Sequence, residues 1–255
     1  MDEQPVLLTE YSDGIAHLTI NRPHRLNTLN RPLMAALRKA FRDLAEDRDV
    51  RIVRLSAAGE KAFCAGADLK EPDTHDYSGL PEFLREQPGI FDRMARCPQI
   101  IVSEVNGWAL GGGLQLALFS DLVYASESAS FKLPQVGLGL IPPYGTTVRL
   151  ARHIGQGRAM EMMLLGAAMS GRQAFDWGFA QGVEPDAAAL RDRVGDVVAT
   201  LAKMPAESLA LAKESLVSGW DMSTEGAALA DRFRSFALKQ SSVTKQIHEN
   251  WRTSK

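Results

Sequence analysis

The stretch of this chain best suited to chemistry is Trp108-Ala109-Leu110-Gly111-Gly112-Gly113-Leu114-Gln115-Leu116, where three glycines stand between an apolar strand and an apolar helix. Glycine lets the backbone turn with φ > 0 and lets a ligand come close to the main chain. A helix that begins at such a turn points unpaired N–H groups, and the positive end of its dipole, at whatever lies in front of it. That arrangement suits a developing oxyanion. A second glycine turn, Phe63-Cys64-Ala65-Gly66-Ala67-Asp68-Leu69-Lys70, lies upstream and could supply a partner donor. Taken singly, either turn is equally explained as a tight strand-to-helix connection. The Asp68 carboxylate is of a type that commonly accepts local N–H bonds in a turn.

The elements that must position these turns are legible from periodicity. Val6–Tyr11 and Ala16–Asn21 read as strands joined by the hairpin signal Ser12-Asp13-Gly14. Asn30 is placed to cap a helix with Pro32 in its first turn, and Leu33, Leu37, Ala40, Phe41 and Leu44 follow at helical spacing. Ile52–Ala57 and Ile100–Val105 read as buried strands, and Leu122–Ala125 as another. Residues 71–79 are rich in Asp, Pro, Gly and Ser and predict a mobile loop. Leu80–Arg96 predicts helix split at Pro88-Gly89, and Leu114–Phe119 a short buried helix. Strands alternating with helices argue for an α/β layering. From about Asp186 onward the pattern is helical, with Pro205 opening one amphipathic stretch and Ser223-Thr224-Glu225 preceding another.

Composition narrows the function classes. At 255 residues the chain can bury a large core, and its hydrophobic fraction of 45% and charged fraction of 24% are those of a water-soluble globular protein. A net charge of −2 and no basic stripe give no reason to expect nucleic acid. No apolar run approaches the roughly 18 residues that span a bilayer, and Met1-Asp2-Glu3-Gln4-Pro5 does not resemble a secretory signal. The expectation is a cytoplasmic protein with no membrane partner. Its cysteines, Cys64 and Cys97, would be reduced, and neither has a neighbouring histidine in a metal-ligand pattern.

Together the two glycine turns resemble those of the crotonase, or enoyl-CoA hydratase/isomerase, family. The resemblance extends over Asn21-Arg22-Pro23 through Asn27-Thr28-Leu29-Asn30, Lys61 to Lys70, Asn106 to Gln115, Leu133 to Leu150 and Ser170 to Gly178. It implies a spiral of β-β-α turns over residues 1–190, binding acyl-CoA, and a C-terminal helical oligomerisation region over 191–255. It implies a homotrimer or a dimer of trimers, with no cofactor beyond the coenzyme A carried by the substrate. By position, the family's two oxyanion donors fall on Ala67 and Gly112. Arg25 and Lys70 stand where the family tends to place contacts to the coenzyme phosphates and adenine, with Leu26 and Ala65 flanking the pantetheine and adenine. Asp68 and Leu69 complete that segment, and Phe236 matches an aromatic that reaches a neighbouring subunit's coenzyme.

The departures from the family carry equal weight. Where a hydratase of this family places its two catalytic glutamates, this chain has Gln115 and Gln135. An amide has donors and an acceptor but does not ionise near pH 7, so it cannot serve as a general acid or base. It can hold water without activating it, so efficient hydration is not expected; Leu114, Leu116, Ala117 and Leu118 around Gln115, and Pro134 and Val136 around Gln135, place both glutamines facing the acyl pocket rather than solvent. A third carboxylate position, used by dienoyl-CoA isomerases and chlorobenzoyl-CoA dehalogenases, matches Pro143. The neighbouring Tyr144 offers a phenol, Glu86 matches a dehalogenase histidine, and His75 and Tyr77 lie in the predicted loop. Two readings stand: an acyl-CoA enzyme working through enolate stabilisation, and a catalytically quiet acyl-CoA-binding protein on the same fold.

Overall fold

The computed structural model describes residues 5–70 and 89–253. Strands β1 (Leu7–Ser12) and β2 (Ile15–Ile20) form an antiparallel hairpin in which Ser12 faces Ile15. Asp13 and Gly14 both take positive φ, as a two-residue turn matched to strand twist requires. Helix α1 (Arg31–Glu46) starts where expected, with the Asn30 side chain accepting from the Leu33 N–H. Its Leu33, Leu37, Phe41 and Leu44 are buried, one apolar stripe on an otherwise charged helix.

Two sheets organise the core. The larger runs β1-β2-β3-β5-β7-β10, with β3 (Ile52–Ala57), β5 (Ile100–Val105), β7 (Leu122–Ser126) and β10 (Gly182–Glu184) parallel to β2 or to one another along the sheet. The smaller runs β4-β6-β8-β9, from β4 (Ala62–Cys64), β6 (Trp108–Leu110), β8 (Ser130–Lys132) and β9 (Met169–Ser170). The chain alternates between them: β3 leads to β4, β5 to β6 and β7 to β8. After β4 the next described helix is α2 (Ile90–Arg96), after β6 comes α3 (Gly112–Leu118), and after β8 come α4 (Thr146–Ile154) and α5 (Gln156–Leu164). Helix α6 (Gly171–Asp176) returns the chain from β9 to β10. This alternation is the β-β-α spiral expected of the family. Gly89 is the N-cap of α2; the predicted loop and residues 80–88, the other side of the predicted break, lie outside the described residues.

Both faces of the larger sheet are covered, which is why its parallel strands read as apolar runs rather than alternating ones. One face packs Leu18, Leu55, Ile101 and Val105 against α1 and the helices of the spiral. The other presents Ile15, Ile52, Ile100 and Val102 to Leu190, Val194 and Val198 of α7 (Ala187–Ala202). Helix α7 thus spans positions 190 and 191 and packs on the sheet. Helices α8 (Ala206–Gly219), α9 (Thr224–Gln240) and α10 (Ser242–Thr253) follow. Pro205 and Ser223 are the N-caps of α8 and α9. Helix α8 is tied to the core by Lys213, whose ammonium donates to the Gln99 carbonyl at 3.0 Å and to Asp121 at 2.7 Å. Burial pushes the Asp121 carboxyl up against the pull of that ammonium. Leu229, Phe233 and Phe236 of α9 are exposed on the single chain, as are Leu216 of α8 and Trp220 just beyond its end.

Candidate active site

The two glycine turns meet. Gly66 has φ +88°, and a Cβ placed on it would stand 2.8 Å from the Leu110 carbonyl oxygen and 3.6 Å from the Gly112 nitrogen. Gly113 is tighter: a Cβ there would lie 1.9 Å from the Cys64 carbonyl oxygen, so only glycine lets α3 start against β4. At Gly112 the nearest atom is Leu29 Cδ1 at 2.6 Å, the end of a movable side chain.

The bonding around Ala67 fixes which way its N–H points. Ala67 forms an isolated parallel bridge with Leu29. Leu29 makes both bonds of that bridge, its N–H donating to the Gly66 carbonyl at 2.8 Å and its carbonyl accepting from Asp68 at 3.0 Å. The N–H and carbonyl of Ala67 itself therefore point away from Leu29. Gly112 is the first residue of α3, one of the positions whose N–H has no partner within a helix. Two main-chain donors thus stand at adjoining turns. Nothing in side-chain chemistry marks them; glycine spacing is the only signal the sequence holds.

A partly buried ion-pair network braces the Ala67 turn. Arg22 Nη2 lies 3.1 Å from Asp68 Oδ2, and Arg25 Nη2 3.5 Å from Asp68 Oδ1. The Thr28 hydroxyl and the Lys70 N–H also donate to this carboxylate. Arg22 Nη1 donates to the carbonyl and hydroxyl of Thr28. Burial works against the Asp68 charge, but the bonds from Arg22, Lys70 and Thr28 and the charge of Arg25 outweigh it and hold its carboxyl below the usual range. Leu26 and Asn27 both take positive φ. The Asn27 side chain holds them there, accepting from the Arg22 N–H at 2.8 Å and donating to the Ala58 and Ala62 carbonyls at 2.9 and 2.8 Å. The Leu26 carbonyl then accepts from the Ala65 N–H at 3.0 Å.

Arg25, Leu26, Ala65, Asp68, Leu69 and Lys70 are thereby brought into one region, with Leu69 and Lys70 exposed at its edge. A cleft of about 360 Å³ opens beside Leu26, lined by Pro23, Asn27 and the Ala58–Ala62 turn. Phe236 sits apart, on an exposed hollow of α9 whose lining is all α9 residues. Arg22 and Asn27 thus position this turn, a role their place in the sequence motif does not show. Their signal, an Arg and an Asn five residues apart before a glycine turn, specifies no contact until the fold brings the turns together.

Gln115 and Gln135 flank the Gly111 turn in different ways. Gln115 is 4% exposed, and its Nε2 donates to the Pro143 carbonyl at 3.1 Å and to Thr146 Oγ1 at 2.7 Å. Gln135 Nε2 lies 3.4 Å from where a Cβ on Gly111 would stand, and its Oε1 is buried without a hydrogen-bond partner. What Pro143 supplies here is its main-chain carbonyl, the acceptor of the Gln115 amide. Thr146, which sequence reasoning passed over, is fully buried and donates to that same carbonyl at 2.5 Å. Tyr144 takes φ +63°, rare for a bulky residue, with its ring 5.1 Å from that of Phe91. His75, Tyr77 and Glu86 lie outside the described residues.

Cys64 and Cys97 are free thiols. Burial pushes Cys64 up to about 12, so it stays protonated and inert near neutral pH. Among the described residues no group of three or more His, Cys, Asp and Glu could hold a metal ion, and no helix is long and apolar enough to cross a membrane.

Comparison with known proteins agrees with this architecture. The model for the enoyl-CoA hydratase/isomerase family matches residues 10–249. The 1,2-epoxyphenylacetyl-CoA isomerase of Escherichia coli (strain K12) is 35% identical over 216 residues, 83% of this chain and 82% of that protein. The (E)-benzylidenesuccinyl-CoA hydratase of Thauera aromatica is 34% identical over 226 residues, covering 88% and 87%. Among solved structures, the enoyl-CoA hydratase of Mycobacterium smegmatis superposes with a TM-score of 0.90 at 28% identity, over 99% of this chain and 98% of that one. That of Bacillus anthracis gives 0.89 at 28%, over 98% and 97%. The fold is therefore that of the crotonases. The chain belongs to the enoyl-CoA hydratase/isomerase family.

Proposed function

We propose that this protein binds an acyl-CoA thioester and stabilises its enolate, the N–H groups of Ala67 and Gly112 gripping the thioester oxygen. The observation that carries this reading is the meeting of the Gly66 and Gly112 backbones at the start of α3. Donors fixed in advance toward developing charge are typically the largest single catalytic term, roughly 3–4 kcal/mol each. The relatives named above, an isomerase and several hydratases of CoA thioesters, support the substrate class. Arg25 and Lys70 would meet the coenzyme phosphates, with Leu26 and Ala65 along the pantetheine and adenine. Phe236 would serve a neighbouring copy's coenzyme, and the exposed apolar residues of α8 and α9 would pack between copies in a trimer or a dimer of trimers.

Efficient hydration is not part of this reading. General acid–base catalysis contributes about 10²–10⁴-fold per group, and neither Gln115 nor Gln135 has a proton to give. The enolate would instead serve isomerisation, decarboxylation or thioester cleavage. A second reading, a binding protein without turnover, is favoured by the Gln115 amide, whose N–H groups are already held by Pro143 and Thr146. The test is titration calorimetry with butyryl-CoA and free coenzyme A, followed by absorbance loss of a short and a long trans-2-enoyl-CoA. Tighter binding of the thioester than of the free thiol, with hydration several orders of magnitude below a two-glutamate enzyme, is the expected result. Equal binding, or hydration at the rate of such an enzyme, would sink the proposal.

A further inference from the structure

Position 115 is built for an amide. The Thr146 hydroxyl has one hydrogen, and it points to the Pro143 carbonyl at 2.5 Å. Toward Gln115, both Thr146 Oγ1 and the Pro143 carbonyl can then act only as acceptors. Two acceptors converging at 2.7 and 3.1 Å require the nitrogen end of the side chain, so the amide's orientation is fixed by its surroundings. The turn that delivers them is itself constrained. Tyr144 and Gly145 take successive positive φ values of +63° and +70°. Tyr144 is held there by Phe91 and by Gly89, where a Cβ would come within 3.1 Å of its ring. Backbone strain of this kind persists where the surroundings over-determine it.

We propose that the Pro143–Thr146 turn locks Gln115 as a one-way acceptor, with Thr146 as the positioning residue and Gln115 Oε1 as the only polar atom this side chain presents to a ligand. The second half, presentation to an acyl group, rests on the acyl-CoA reading above; the lock itself does not. A glutamate at this position would set a carboxylate oxygen against the Pro143 carbonyl in a buried site, which favours the protonated acid. Gln115 is thus an adapted feature, not a hydratase glutamate one step from restoration.

The lock is tested without ligand by NMR on the intact protein. In the native protein the Gln115 side-chain N–H₂ protons, assigned by their loss in Gln115→Met, should exchange with water at least tenfold more slowly than those of exposed glutamines such as Gln246. In Thr146→Val the protection should fall by a similar factor, and Thr146→Ser should retain it. In Gln115→Glu, with carbon-13 at the glutamate carboxyls, the one additional signal should titrate well above the ordinary value of about 4.3. Three results would each overturn the lock: exchange as fast as at the surface, protection unchanged in Thr146→Val, or an additional carboxyl signal in Gln115→Glu that titrates at the ordinary value. Butyryl-CoA and 3-hydroxybutyryl-CoA titrations test presentation: the hydroxyl should improve affinity several-fold in the native protein and not in Thr146→Val. Equal affinities in the native protein would overturn that half, whereas failure of both ligands to bind would overturn the acyl-CoA reading and leave the exchange result to decide the lock.

Discussion

Replacing Gly112 by proline isolates one oxyanion donor. Gly112 is the first residue of α3, the helical position where proline is best tolerated, because the N–H it lacks has no helical partner there. Gly111, at φ 52° and ψ −112°, already lies outside the α region that a following proline disfavours. The substitution also adds a Cβ, which would meet Leu29 Cδ1 at 2.6 Å. Gly112→Ala adds the same Cβ and keeps the N–H, so the difference between the two variants reports the donor. In a bound ground-state thioester one neutral hydrogen bond contributes about 0.5–1.5 kcal/mol, so acyl-CoA affinity should fall up to about tenfold in Gly112→Pro relative to Gly112→Ala. In any enolate-forming step the loss should be larger, about 10²–10³-fold in kcat. Isotope-edited infrared spectroscopy of a carbon-13 thioester carbonyl gives a readout that needs no turnover. Its stretch should move to lower frequency on binding the native protein and Gly112→Ala, and recover much of the shift in Gly112→Pro. Identical frequencies in the two variants would refute the assignment of Gly112 as a donor.

Other outcomes follow from the same geometry. Gly113→Ala should cost about 3 kcal/mol or more of stability, because its Cβ would meet the Cys64 carbonyl at 1.9 Å and backbone cannot yield as Leu29 can; urea midpoints for the two alanine variants should separate widely. Asp68 has a folded pKa below its ordinary value, so its ion pairs stabilise the fold above about pH 3.9 and are lost as pH falls through the folded value. The melting temperature of Asp68→Asn should therefore be lower than that of the native protein at pH 7, and the two should converge as pH falls below the ordinary carboxyl value and through the lowered folded one. Cys64, pushed up to about 12 by burial, should resist a thiol-specific reagent at pH 8 in the folded protein and react once urea unfolds it; rapid labelling of the native chain at this residue would contradict its placement.

What the sequence conveyed, and what it withheld, divides along physical lines. Elements whose signal is local were legible: the Asn30 cap, the Asp13-Gly14 hairpin, the α1 stripe and the buried strands β3 and β5 all follow from properties of neighbouring residues. The glycine turns were legible as well, because a close backbone approach excludes every other side chain. The withheld part is the set of contacts between segments far apart in the chain. Asn27 reaches Ala58 and Ala62, Arg22 reaches Asp68, and Thr146 reaches Gln115. None of these residues has an unusual local setting; each acquires its role when the spiral stacks successive turns. The glutamines illustrate the consequence. Read alone, Gln115 and Gln135 are both neutral amides at positions where the resemblance expects a carboxyl group able to take up and release a proton. In the fold they differ, Gln115 held by two acceptors and Gln135 leaving a buried oxygen without a partner beside Gly111. A buried acceptor left unpaired is destabilising by about 1–3 kcal/mol, and a bound donor would relieve it. Of the two, Gln135 is therefore the side chain whose environment should change most when an acyl group enters, and Gln115 the one that should stay where it is.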